Sequence, residues 1–104
     1  MSRSSTNWIS KRRRHAIYRR DNCRCLWCER KPPVKALSLD HFVPLRYGGN
    51  DATANLFVSC VSCNSRRGSE SVWEFACALS EPLLGYNPER IVARIVQTLS
   101  RPLR

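Results

Sequence analysis

Residues 55–68 read NLFVSCVSCNSRRG: a strand-like apolar run enters a Cys-x-x-Cys pair and continues as a short polar stretch stopped by glycine. A second pair with the same gap, Cys25-Leu-Trp-Cys28, precedes it, with 31 residues between the pairs. Two intervening residues let a tight knuckle aim both thiolates at one ion, and four thiolates close a tetrahedral shell. Cys25, Cys28, Cys60 and Cys63 are therefore expected to hold a structural Zn²⁺ rather than a reactive one. Buried apolar cysteines or a redox pair would account for one such pair; two matched pairs argue against both. Cys23 competes for the first knuckle, but the two-residue gap favours Cys25, and Cys23 and Cys77 are read as packing residues.

A chain of 104 residues has room for a single domain spanning 1–104, with a core small enough that chain entropy nearly cancels its burial. Zinc binding by a folded site supplies on the order of 10 kcal/mol in peptide models, so chelation is expected to unfold the protein. The formal charge of +10, from 18 Lys and Arg against 8 Asp and Glu, exceeds what solubility needs and points to a polyanion, with DNA ahead of an anionic membrane. No apolar run approaches the roughly 18 residues of a spanning helix, and no apolar segment follows the basic N-terminal residues. A soluble, cytoplasmic protein is expected, and in a reducing compartment clustered cysteines are metal ligands more often than disulfides.

Outward from the two pairs, the chain reads as α+β. Residues 1–8 are polar and are expected to be loose, and a basic helix is expected from Trp8 or Ile9 to Arg20. Arg12, Arg13 and Arg14 on it are candidate phosphate contacts, against the blander reading of a solvated helix face. ERKPP is a turn, Val34–Leu39 a strand, YGGND the turn of a long hairpin, and NLFVSC the returning strand. Val61–Arg67 fits a short helix ended by Gly68. Ser71-Val-Trp-Glu74 is a capping box opening a helix over about 71–80. A last helix over about 88–100 is capped by Asn87 with Pro88 in its first turn, and Ile91, Val92, Ile95, Val96 and Leu99 mark its apolar face.

If both pairs share one zinc, strand, turn, strand and helix are tied into a single unit, and the dipeptide Asp40-His41 is expected to face that helix. Neighbours on a strand point to opposite faces, so the two can share one only if the strand ends or bends there. Asn64, one residue past Cys63, is placed for its amide oxygen to meet Asp40. An oxygen-only pair of this kind suits Mg²⁺ or Mn²⁺ as a catalytic ion. The imidazole of His41, left free of metal, is then a general base for water.

The order Asp-His, Asn-Leu and CxxCNxxxG in LSLDHFVPLRYGGNDATANLFVSCVSCNSRRG, with RDNCRCLWCERK upstream, resembles the HNH endonucleases, in the zinc-bearing subgroup whose ββα-metal core is framed by two CxxC pairs. The resemblance covers about residues 20–68 and leaves the N-terminal and C-terminal helices outside it. It implies a metal-dependent endonuclease that hydrolyses DNA phosphodiesters by nicking or double-strand cleavage. His41 matches the general base, Asp40 the metal-binding acid, Asn55 the asparagine that orients the histidine, and Asn64 the second metal ligand, where many members carry histidine. Arg46, Arg66 and Arg67 are further candidate phosphate contacts. Such small proteins occur in phage and prophage packaging modules, restriction systems and homing enzymes, as monomers, homodimers or subunits of larger nuclease or packaging complexes.

The alternative reading is a catalytically inactive, zinc-stabilised nucleic-acid-binding module. A carboxylate amid phosphate-binding residues repels the ligand unless a cation lies between, so Asp40 favours the nuclease.

Overall fold

The computed structural model describes residues 8–80 and 87–103; residues 1–7 of the polar N-terminal stretch lie outside that range. The chain runs α1 (Lys11–Arg20), β1 (Leu37–His41), β2 (Leu56–Cys60), α2 (Val61–Arg67), α3 (Val72–Ser80) and α4 (Pro88–Leu99), with short 3₁₀ turns at Val34–Ala36, Leu45–Tyr47 and Thr53–Asn55. β1 and β2 pair antiparallel from Leu37 opposite Cys60 to His41 opposite Leu56, and α2 leaves β2 without a loop. This is the expected strand, strand, helix unit.

Alternation along the hairpin divides the interior in two. Leu37, Leu39, Leu56 and Val58 face one way and join Ile9, Ile17 and Tyr18 in a core beneath α1. Phe57, on the opposite face, joins Trp27, Val72, Phe75, Ala76, Leu79, Ile91 and Ile95 in a larger core beneath α3 and α4. A sheet of two strands is marginal by itself in water, and here each face is covered by helix. The buried pair Arg20–Asp21 ties the end of α1 to β2, because Asp21 also accepts a hydrogen bond from the Val58 amide at 2.8 Å.

Local chemistry sets the helix ends. Ser10 caps α1 by accepting from the Arg13 amide at 3.1 Å, so the helix begins at Lys11 and not at Trp8 or Ile9. The Ser71–Glu74 capping box forms in both directions, at 2.9 and 3.0 Å. Asn87 caps α4 through the amides of Glu89 and Arg90. On α4 the buried face is Ile91, Ile95 and Thr98, a spacing of i, i+4, i+7, which turns Val96 outward to half exposure.

The first strand is shifted from its expected place. Pro33 leads Val34–Ala36 into a turn, and the strand then continues through Asp40 and His41, which the sequence pattern had left at its end. At the other end of the hairpin Asn55 closes a 3₁₀ turn, so β2 begins one residue later, at Leu56. Among the described residues no helix is long and apolar enough to cross a membrane.

Candidate functional site

The four cysteines converge. The Sγ atoms of Cys25, Cys28, Cys60 and Cys63 all lie within 4.8 Å of one another, and those of Cys28 and Cys60 are 4.0 Å apart. A zinc with Zn–S bonds of about 2.3 Å spaces its sulfurs by about 3.8 Å, so small adjustments complete a tetrahedron. Cys60 serves twice, since its sulfur also accepts the Cys63 amide at the start of α2. The protonation chemistry asks for a cation. A hydrogen bond from the Cys63 thiol, against the opposing effect of burial, brings Cys25 down to about 5. Burial pushes Cys28 up to about 11, and Cys63 is driven far up by donating to Cys25 and by burial. One thiolate forms readily in this cluster and the next is resisted, so four require a positive ion between them. Cys23 and Cys77 lie outside the cluster.

Asp40 and His41 diverge. Because β1 stays paired through His41, alternation sends Asp40 toward α2 and His41 toward α1, and the expectation that both face α2 is corrected to Asp40 alone. Asp40 is sealed in. Its Oδ2 accepts Trp27 Nε1 at 2.9 Å; its Oδ1 accepts Arg67 NH1 at 2.8 Å and the His41 amide at 2.9 Å. Burial pushes its carboxyl above the ordinary range, opposed by the Arg67 guanidinium, the Trp27 indole and the His41 amide. Asn64 reaches the same side of the sheet, but its Nδ2 donates to Ser38 Oγ at 2.8 Å and to the Leu39 carbonyl at 3.2 Å.

A second cation at Asp40 is tested by these contacts. Both carboxylate oxygens are engaged, the side chain is 3% exposed, and a guanidinium already supplies the positive charge beside it. Hydrated Mg²⁺ or Mn²⁺ needs free oxygens and room for its waters, and in this arrangement Asp40 and Asn64 do not fit one. Arg67, expected at a phosphate, is instead buried: besides Asp40 it binds the carbonyls of His41, Phe42 and Glu70. It links α2 to the end of β1.

His41 sits in a different setting. Its Nε2 lies 2.9 Å from Asp51 Oδ1, and the Trp8 indole stacks on its ring with centroids 5.5 Å apart. The basic helix borders this group: Arg13 donates to the Asp51 carbonyl, and the Arg14 guanidinium lies 5.8 Å over the Trp8 ring. Arg12 and Arg66 are exposed, and Arg46 is exposed with its guanidinium over Tyr47 and a hydrogen bond to Ser69 Oγ. Asn55 does not touch the imidazole through any of its side-chain hydrogen bonds. Its amide clamps the hairpin loop, accepting from the Val43 amide at 2.8 Å and donating to the carbonyls of Val43 and Asn50 at 3.1 and 2.8 Å.

Three residues of this neighbourhood carry no functional signal in the sequence: Trp27 is spacing inside a knuckle, Asp51 lies in a turn and Trp8 at a helix start, while Arg67 stands out there as a candidate phosphate contact and not as the partner of Asp40. Side-chain reach across 10 residues or more leaves no periodic signal to read.

No curated protein matches the chain closely enough to count as a relative. A family model described as HNH endonuclease matches residues 25–77, from the first cysteine of the cluster to α3. That stretch holds both cysteine pairs, the Asp-His step and the helix that follows, and it is just over half of the 104 residues. The chain therefore belongs to the HNH endonuclease family.

Proposed function

We propose that the protein is an endonuclease that hydrolyses phosphodiester bonds in DNA, with His41 as the proton acceptor. The observation that supports this best is the placement of His41 against a carboxylate, at the edge of the helix that carries Arg12, Arg13 and Arg14. An imidazole held at fixed orientation next to a cationic surface has what general-base hydrolysis of a polyanion requires. Zinc, when bound to the four cysteines, supplies rigidity to the hairpin and α2 and takes no part in bond breaking.

The chain's own residues then divide the work. Arg12 and Arg46 draw the phosphate backbone by charge, which carries affinity without sequence preference. His41 takes a proton from the attacking water. Arg67 and Trp27 hold the end of β1 through Asp40 and the His41 carbonyl, fixing the backbone that carries the imidazole. A role for Asp40 and Asn64 as holders of Mg²⁺ or Mn²⁺ requires Arg67 to give up Asp40, so none of these steps is routed through that pair.

Supercoiled plasmid incubated with zinc-loaded protein and Mg²⁺ or Mn²⁺, with and without EDTA, tests the reading. Nicked or linear product is expected from the native chain, and His41→Ala should cut roughly 10²- to 10⁴-fold more slowly while still binding DNA and zinc. Undiminished cleavage by His41→Ala refutes the assignment. DNA binding with no cleavage under any metal returns the protein to the inactive binding module.

A further inference from the structure

His41 has one hydrogen-bonded partner for its ring among the described residues, the carboxylate of Asp51, and the contact is made by Nε2 at 2.9 Å. A carboxylate only accepts, so the nitrogen facing it is the protonated one. In the neutral imidazole this leaves the lone pair on Nδ1.

The loop carrying Asp51 is unusually well fixed for a surface turn. Asn50 accepts the Ala52 amide at 3.0 Å, wrapping the backbone around Asp51. Asn55 grips the Asn50 carbonyl and both backbone groups of Val43, so the two arms of the loop are bound to each other. Gly49 lies so close to Val43 that a Cβ there would meet its carbonyl oxygen at 1.8 Å. Arg13 from α1 holds the Asp51 carbonyl. Asp51 is 29% exposed in its side chain and His41 3%, so the dyad runs from the surface inward, under the Trp8 ring.

We propose that Asp51 is the positioning residue for His41: its carboxylate holds Nε2–H and presents Nδ1 as the base. This rests on the reading of His41 as proton acceptor and assigns the work of orientation to Asp51, with Asn55 acting one step further back by fixing the loop. In the step itself, a water O–H bond breaks and its proton goes to Nδ1. The water oxygen forms the new bond to phosphorus, the bond to the 3′ oxygen breaks with its electron pair, and that oxygen takes a proton from solvent. The imidazolium so formed is stabilised by the Asp51 carboxylate, and it returns its proton to solvent afterwards.

The test uses the full zinc-loaded chain with ¹⁵N-labelled histidine. The sequence has two histidines, so His15→Gln and His41→Ala assign the imidazole signals. The expected result is a hydrogen-bonded Nε2–H proton on His41 that exchanges slowly and disappears in Asp51→Ala. In plasmid cleavage, Asp51→Asn and Asp51→Ala should lower kcat on the order of 10²-fold with KM little changed, and Asp51→Glu should recover part of that loss. Proton on Nδ1, an Nε2–H signal indifferent to Asp51→Ala, or full kcat in Asp51→Ala beside an inactive His41→Ala overturns the proposal and leaves the nuclease reading standing. An active His41→Ala instead removes His41 as the proton acceptor, and the proposal with it. A melting temperature within a few degrees of the native chain separates these losses from misfolding.

Discussion

Asp40 and His41 are neighbours in sequence, equally buried, and on opposite faces of one hairpin, yet they meet opposite chemistry. The carboxylate is enclosed with a guanidinium, an indole and a backbone amide, its charge answered inside the protein. The imidazole leans through one of its two ring nitrogens on a partly exposed carboxylate at the rim of a basic helix. The difference teaches that an acid and an imidazole adjacent in the chain can be sent to opposite surroundings, one enclosed as a brace and the other set beside a partly exposed carboxylate. Which residue does which is decided by what the opposite side of the sheet supplies.

The largest test of that contrast removes the frame both faces share. Strong chelator, or Cys60→Ser, should unfold the zinc-loaded protein, a loss on the order of 10 kcal/mol, read as collapse of the thermal transition and loss of bound zinc. A melting curve indifferent to chelator would mean that the sulfur cluster does not hold the hairpin. Next comes the brace. Arg67→Met strands a buried carboxylate and should destabilise by about 3–5 kcal/mol, whereas Asp40→Leu combined with Arg67→Met should cost much less than the two changes summed. Chemical denaturation of the single and double variants measures the coupling, and additive losses would dissolve the pair as a unit.

On the other face, Asn55→Ala removes three loop hydrogen bonds and should cost about 2 kcal/mol of stability along with most cleavage, because the loop carries Asp51. Unchanged cleavage would detach the loop from the reaction. A smaller effect follows from acidity. Burial raises the Asp40 carboxyl, so the folded state binds its proton more tightly than the unfolded chain does. Its share of the stability is therefore greatest at low pH and falls as pH rises from the ordinary value of 3.8 through the raised one. Urea midpoints with saturating zinc should show a slope across that range that Asp40→Asn flattens. Least of all, Arg12→Ala should lower the slope of log affinity against log salt by about one unit without altering the fold.

Much of this was legible in the chain. Cysteine spacing is a local rule, and it located the sulfur cluster; caps at Ser71 and Asn87 and the stop at Gly68 are local too, and those helix ends fall within a residue of expectation. Strand β1 was misplaced because Pro33 and the turn after it resemble a strand start, while the residues that finish it, Asp40 and His41, look polar enough to end one. The alternation rule carried the decisive hint that the two could not share a face. What the sequence could not disclose was the identity of each partner: nothing in SRRG marks Arg67 for the interior, and nothing in GGND marks Asp51 as the residue that reaches back 10 positions to an imidazole.

Trp27 sits between the two cysteines of the first knuckle, donates to Asp40, and meets Phe57 and Phe75 edge-on with centroids 5.5 and 4.8 Å away. A natural fluorophore thus stands where the sulfur cluster, the internal ion pair and the larger core touch. With Trp8 and Trp73 replaced by phenylalanine, its emission should respond to metal loading and to loss of the Asp40 contact before the chain as a whole lets go, giving an optical readout of the frame that needs no label.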